Sequence, residues 1–377
     1  MKDMIFEDSH IAFKSDFEAF VQREIQPHYA KWEIEGTVSR ELWLKAGEQG
    51  FLCPSGSGSP FPDRDYRHNV IINQVLAEKG YLGVGFTLHN DVAAKLFFET
   101  ANADQIHRWG PGIHSGSVIL SLAITEPQGG SDIKNCQTTA VKGESYYTLN
   151  GSKKFVSNGS IHHLAIVVAK SSEKKDLGLS LFLVEPTSTG YDRSRLLKKI
   201  GCHARDLVEL NFSDVLVPSE NLLGKEGRGF LYLMSCFPQE RLSIACSAFA
   251  MSEAVFEKTL EYVKEREVFG QALGRFQNVG DLLAELKTDI EFSRAFLNQC
   301  ILQNLSGNLS QESAAMAKWS MTEMQTRVID RCLQLHGGNG YLADSFVGKA
   351  FVDTRFMTIY GGSNEVQKRI IYKSLGL

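Results

Sequence analysis

Apolar positions change their period twice along the chain. Between residues 11 and 32, Phe13, Phe17, Phe20, Val21 and Ile25 recur at near-helical spacing, which predicts one buried face of an amphipathic helix. Pro27 lacks a backbone N–H and restricts the residue before it, so a kink or an end is expected near Gln26. Further helices are expected over 40–49 and 68–79. The Ser, Gly and Pro residues of 55–62 predict a loop between them.

From about 117 to 217 the texture is that of strands. Apolar runs at 118–120, 164–168 and 179–184 are β-branched or aromatic and are separated by Gly, Pro and Asn. Asn150-Gly151, between 146–149 and 153–156, predicts a two-residue hairpin turn, because both residues tolerate positive φ. Beyond Gly229 the helical period returns. Val279, Leu282, Leu283, Leu286, Ile290 and Leu297 form one stripe, and Met324, Val328, Cys332 and Leu335 another, with a polar turn at 304–310. Long striped helices suit a bundle, and spare apolar faces suit an oligomer. The expected fold is multidomain α+β. It has an N-terminal α-helical domain (1–117), a middle antiparallel β domain (118–226) and a C-terminal α-helical domain of four-helix-bundle type (227–377).

Composition narrows the function. A length of 377 residues fits two or three domains at roughly 150 residues each. Lys and Arg total 40 against 44 acidic residues, so no electrostatic case exists for nucleic acid or an anionic membrane surface. No apolar run of about 18 residues predicts a membrane span. The first ten residues, MKDMIFEDSH, read as neither a secretory signal nor a transit peptide. Seven dispersed cysteines without a C-x-x-C pair predict reduced thiols in a cytoplasm.

Rossmann, phosphate-loop and nucleophile-elbow patterns are absent, and no His pattern predicts a metal. What remains is a set of glycine-bearing segments: 122–132 (LAITEPQGGSD), 154–159 (KFVSNG), 334–341 (QLHGGNGY) and 359–368 (IYGGSNEVQK). Each alone reads equally as a plain turn or helix cap.

In their order, with Arg266-Glu-Val-Phe-Gly270, these segments resemble the acyl-CoA dehydrogenase family over essentially the whole chain. Residues 125–132 are similar to its T-E-P-x-x-G-S-D signature, and 334–338 and 360–365 resemble its C-terminal motifs. The resemblance implies FAD between the middle and C-terminal domains, in a protein that is usually a homotetramer. On the matching positions, it implies that Leu122, Ile124 and Thr125 line the flavin ring and that Ser131 sits near the pyrophosphate or pantetheine. Phe155 would stack near the flavin, where many relatives have tryptophan, and Ser157 would bond its N5/O4 edge. Arg266, Phe269, Phe276 and Gln277 match residues that a neighbouring subunit brings to the adenine dinucleotide. Gln334, Gly337 and Gly338 match a further contact across a subunit interface, and Ser363 and Glu365 a contact near the pyrophosphate.

The family reaction removes the α proton of an acyl thioester while the β hydride goes to flavin N5. It needs a carboxylate at the α carbon and donors at the thioester carbonyl, where enolate charge develops. In most relatives the carboxylate follows the tyrosine of the C-terminal motif, but here Gly361 follows Tyr360. Either activity is lost or the base comes from elsewhere. The long-chain and isovaleryl-type subset carries its glutamate in an E-R pair, and 237–242 (FPQERL) supplies one, so Glu240 is assigned as the base. Pro238 is expected in the first turn of a helix. The helix terminus would then stabilise the carboxylate, and burial beside an acyl chain would raise its pKa. Gly361 N–H is expected at the thioester carbonyl, and Arg241 and Tyr360 along the substrate channel, with Arg241 equally able to serve a structural ion pair. A basic cluster at Arg193, Arg195, Lys198, Lys199 and Arg205 reads first as a solvated face, with CoA phosphates or an electron-accepting partner as the alternative contacts.

The expected function is FAD-dependent dehydrogenation of acyl-CoA to the trans-2-enoyl thioester, with an electron-transfer flavoprotein as acceptor. The alternatives are a biosynthetic dehydrogenase of a carrier-protein-bound acyl group, a non-catalytic flavin-binding scaffold, and a flavin oxidase or monooxygenase.

Overall fold

The computed structural model describes residues 5–56, 58–171 and 178–376. Residues 1–4, the start of the segment read above for a leader, and Ser57 of the 55–62 loop lie outside the described residues. The N-terminal part is helical: α1 (Asp8–Phe20), α2 (Tyr29–Glu35), α3 (Arg40–Glu48), α4 (Tyr66–Glu78), α5 (Ala94–Thr100) and α6 (Ala103–Ser115). After α1 the chain widens into a π-turn over Val21–Ile25 and stops before Pro27, as its sequence predicts. Phe13, Phe17 and Phe20 face inward and meet Phe51 at ring-centroid distances of 5.5, 4.9 and 5.1 Å. Burial of that phenyl stripe gives α1 its stability, since isolated helices of this length are marginal.

The middle part holds β1 (Leu120–Ala123), β2 (Thr139–Lys142), β3 (Tyr146–Val156), β4 (Leu164–Lys170), β5 (Leu179–Val184), β6 (Tyr191–Arg193), β7 (Val208–Pro218) and β8 (Leu222–Leu223). They form one sheet in the order β6-β7-β3-β2-β4-β5-β8, with β1 alongside β4. Pairing is antiparallel except for β1 on β4 and a single β2–β4 pair. Almost every residue of β4 and β5 is buried, so their sequences are continuously apolar and do not alternate.

Asn150-Gly151 does not form the expected hairpin. β3 runs through it, and Gly151, at φ +140°, is a bulge where the register to β7 slips. A Cβ there would meet Thr138 Cα at 2.7 Å. The Asn150 amide is spent on Asp214, donating to its Oδ1 and accepting its N–H, both at 2.9 Å. β3 pairs on both sides, with β2 and β7, and that pairing overrides the local turn preference.

The C-terminal part comprises α7 (Gly229–Glu265), a hairpin of β9 (Glu267–Val268) and β10 (Gln271–Ala272), α8 (Gln277–Leu305), α9 (Gln311–His336), α10 (Phe346–Asp353) and α11 (Asn364–Ser374). The two predicted stripes meet α7 in one core, where Leu286, Ile290, Leu297, Met324, Val328 and Cys332 pack with Phe249, Val255 and Phe256.

Pro238 is not in a first turn. It lies inside the 37-residue α7, and the helix continues past it. The carbonyl its missing N–H leaves unbonded, that of Met234, accepts instead from Gln311 Nε2 at 2.5 Å. Glu240 therefore lies away from the positive end of α7, where dipole stabilisation has faded, and burial governs its carboxyl. Among the described residues no helix is long and apolar enough to cross a membrane.

Candidate active site

A cavity of about 750 Å³ opens where the three parts meet, within the usual range for a ligand site. One wall is a face of α7. Phe230, Met234, Phe237, Glu240 and Ile244 follow one another at three- and four-residue steps and line it together with Arg241. Thr87, Leu88 and Val92 come from the N-terminal part, and Tyr360, Gly361, Gly362 and Val366 from the C-terminal end.

The opposite wall comes from two strand ends. Leu122 on β1, followed by Ile124, Thr125, Gly130 and Ser131, lines the cavity. This segment is anchored from below by Glu126, which is buried. Its carboxylate accepts from Lys153 Nζ at 2.7 Å, Gln137 N–H at 2.7 Å and Thr138 N–H at 2.9 Å. Burial alone would raise its pKa, but the bonds from Lys153, Thr138 and Gln137 hold it down at about 2. Lys153 also donates to Ile124 O at 3.2 Å, fixing the peptide beside the cavity.

On β3 a second bulge, between Lys153 and Val156, turns Phe155 outward. Phe155 adopts φ +60° and is 55% exposed within the cavity wall. A phenylalanine held in left-handed backbone with its ring uncovered offers a flat apolar platform in the cavity wall. Ser157 follows it on the same wall. An apolar ring platform, a hydroxyl at its edge and a glycine-bearing turn with Ser131 fit a flavin, so Leu122, Ile124, Thr125, Ser131, Phe155 and Ser157 are the residues that would hold FAD here.

Glu240 Oε1 lies 3.8 Å from the point that a Cβ on Gly361 would occupy. The carboxylate thus stands beside the position that carries the base in most relatives. Burial raises its pKa to about 7, against the nearby positive charges of Arg241 and Lys318. Arg241 makes its hydrogen bond elsewhere, Nη1 donating to Gln311 Oε1 at 2.6 Å, and acts on Glu240 through its charge alone. Gly361 and Gly362 adopt φ +62° and +79°. Among the described residues no backbone carbonyl takes the Gly361 N–H.

The cavity gathers Glu240, Arg241, Tyr360, Gly361 and the set that would hold FAD, Leu122, Ile124, Thr125, Ser131, Phe155 and Ser157. It does not gather Arg266, Phe269, Phe276, Gln277, Gln334, Gly337, Gly338, Ser363 or Glu365. Most of these lie on the outer surface of the C-terminal part: at the β9–β10 hairpin, at the start of α8 and past the end of α9. Arg205 is a correction to the solvated basic face. It lines the cavity, with its guanidinium 5.2 Å from the Phe356 ring and Nη2 donating to Leu82 O at 3.1 Å. Sequence reasoning missed the apolar α7 wall, although counting in threes and fours from Glu240 finds it. Thr87, Leu88, Val92 and Gln311 carried no such signal.

Among the described residues one cluster has metal-ligand character, His10, Asp65 and His68. Its atoms are occupied by helix capping, with the Nδ1 atoms of His10 and His68 accepting the N–H groups of Glu7 and Asp65, both at 3.2 Å. The Asp65 carboxylate is gripped by Arg67 at 2.6 Å.

Comparison with known proteins identifies the family of the fold. Models of the acyl-CoA dehydrogenase N-terminal, middle and C-terminal domains match residues 7–117, 121–215 and 227–376. The chain is 40% identical over 380 residues to the mitochondrial long-chain specific acyl-CoA dehydrogenase of Sus scrofa, covering 98% of this chain and 87% of that protein. It is 28% identical over 378 residues to the mitochondrial isovaleryl-CoA dehydrogenase of Arabidopsis thaliana, covering 99% and 92%. The crystal structure of an acyl-CoA dehydrogenase from Geobacillus kaustophilus matches with a TM-score of 0.95 at 38% identity, covering 99% of this chain and all of that one. The chain belongs to the acyl-CoA dehydrogenase family, flavin-dependent oxidoreductases of acyl-CoA thioesters.

Proposed function

We propose that the protein converts an acyl-CoA to its trans-2-enoyl thioester with Glu240 as the base that takes the α proton. The observation that carries this reading is the Glu240 carboxyl, 3.8 Å from the Cβ position of residue 361 and in one cavity with the flavin-facing residues. FAD, held by those residues, supplies the acceptor for the β hydride. The remaining work falls to the chain itself. The Gly361 N–H is free to donate to the thioester carbonyl as enolate charge develops, and the apolar face of α7 seats the acyl chain and excludes water. Burial outweighs the nearby charges of Arg241 and Lys318, so the carboxylate keeps a raised basicity. A non-catalytic scaffold would have no use for a carboxylate in that place.

The same reading takes an electron-transfer flavoprotein as acceptor and a homotetramer as the working unit. In the tetramer Arg266, Phe269, Phe276, Gln277, Gln334, Gly337 and Gly338 would meet a neighbour's dinucleotide, and Ser363 and Glu365 would lie near a pyrophosphate. Seven free, buried cysteines suit a reducing compartment, for which we take the cytoplasm.

Glu240→Gln tests the base. The variant should keep the absorbance of bound flavin, while its bleaching by acyl-CoA slows by at least about 10²-fold. In the unsubstituted protein the bleaching rate should rise through about pH 7, because the base works only when ionised and burial sets its pKa there. Full bleaching by Glu240→Gln would refute the assignment.

A further inference from the structure

The carbonyls of the Gly361–Gly362 turn are tied by side chains that do not line the cavity. Gln367 Nε2 donates to Gly361 O at 3.1 Å and to Gly362 O at 2.7 Å. A second donor reaches the turn from α9. Lys318 Nζ donates to Gly362 O at 3.0 Å and to Asn364 Oδ1 at 2.9 Å. Asn364 is itself fixed, its amide donating to Thr322 Oγ1 at 3.1 Å and Glu323 Oε1 at 3.0 Å. Lys318 is fully buried, yet both of its hydrogen-bond partners are neutral oxygens. A buried ammonium without a paired carboxylate is costly, and a methionine of similar length would fill the same volume without that cost. The charge therefore calls for a use.

We propose that Lys318 is a positioning residue of the dehydrogenation: its ammonium pins the Gly361–Gly362 turn so that the Gly361 N–H faces the thioester carbonyl, and it brings a positive charge to bear on Glu240. The inference rests on Glu240 as base and adds what holds base and carbonyl donor in register.

The charges facing Glu240 are Arg241 on its own helix and Lys318 on α9. Those facing Lys318 are Glu240 and Arg241 on α7, Glu323 on its own helix and Glu365 on α11. Burial pushes Lys318 down to about 8 and Glu240 up to about 7, and each charge favours the ionised form of the other. Without the ammonium, less of Glu240 is ionised at a given pH. The acid limb of the rate then moves to higher pH.

The experiment is anaerobic flavin bleaching by acyl-CoA in the purified holoenzyme, from about pH 6 to about pH 9. It compares the unsubstituted protein with Lys318→Met, which loses charge and donor, and Lys318→Gln, which loses charge but keeps a donor. Both variants should retain FAD and show the acid limb displaced upward by similar amounts, since both lose the charge. The plateau rate should drop on the order of tenfold in Lys318→Met and less in Lys318→Gln, short of the roughly 10²–10³ that outright loss of a carbonyl donor costs. Whichever variant retains FAD decides. An unmoved limb with reduced rates, or loss of FAD from both, assigns Lys318 to folding alone and overturns the inference. A Glu240→Gln protein that still bleaches refutes the base whatever Lys318 does. An inactive Glu240→Gln beside unmoved limbs in the Lys318 variants refutes only the role of Lys318.

Discussion

At residue 361 the backbone sits at φ +62°, and a Cβ would stand 2.3 Å from Ile244 Cδ1. Ile244 is one turn beyond Glu240 on α7, so the residue that carries the carboxylate and the residue that fills the room beside Gly361 are neighbours on one face. Returning the base to position 361 therefore requires more than a glutamate there, because Ile244 already occupies the path of its side chain. Gly361→Ala should destabilise the protein by about 1–2 kcal/mol through the left-handed backbone, with an added part from displacing Ile244. In the Ile244→Val background Cδ1 is gone and that added part should disappear. Denaturation midpoints of the parent, both single variants and the double variant measure the coupling, and strictly additive midpoints would show that Ile244 does not fill this space.

The element that organises the site is α7, and its weak point is Pro238. The proline frees the Met234 carbonyl, and the Gln311 amide satisfies it while accepting from Arg241, so a single side chain on α9 braces α7 on both sides of Glu240. Gln311→Leu leaves a carbonyl and a guanidinium without partners and should cost about 1–3 kcal/mol per group. Pro238→Ala restores the N–H that Met234 lost, so Gln311→Leu should cost less in that background. Equal costs, read from thermal midpoints, would deny that the amide replaces the missing helix bond. None of this was legible in the sequence. Pro238 looked like a helix start because its local preference suits one, and the residue that compensates for it lies on another helix. Asn150-Gly151 failed similarly, a local turn signal overridden by pairing to strands on both sides. What could be read was whatever one segment encodes alone: the change of apolar period that marks helix, sheet and bundle, the glycine-bearing turns, and the glutamate beside an arginine. Gln311 and Lys318 act across segments and leave no such mark.

For the whole molecule the outer face of the C-terminal part stands out by its uncovered aromatic side chains. The β9–β10 hairpin turns through Phe269 and Gly270, both at positive φ, and holds the Phe269 ring 94% exposed. Tyr341 is 86% exposed and Leu342 55%, past the end of α9. A phenyl group fixed in strained backbone at a hairpin tip gains nothing in water, whereas burying it against a partner is worth about 1.5–3 kcal/mol. The family-matched dinucleotide residues Arg266, Phe269, Phe276 and Gln277 lie at or beside this tip, away from the cavity that holds Phe155 and Ser157. A second copy that covers the tip would complete the adenine end of one site with the hairpin of another, so that assembly and cofactor retention become a single equilibrium. FAD should then dissociate on dilution as the oligomer does, and Phe269→Ala should shift both transitions together to higher protein concentration. Size-exclusion chromatography with flavin absorbance across a dilution series follows the two at once. A Phe269→Ala protein that splits into monomers yet keeps its flavin would separate them, and would place the whole dinucleotide site within one chain.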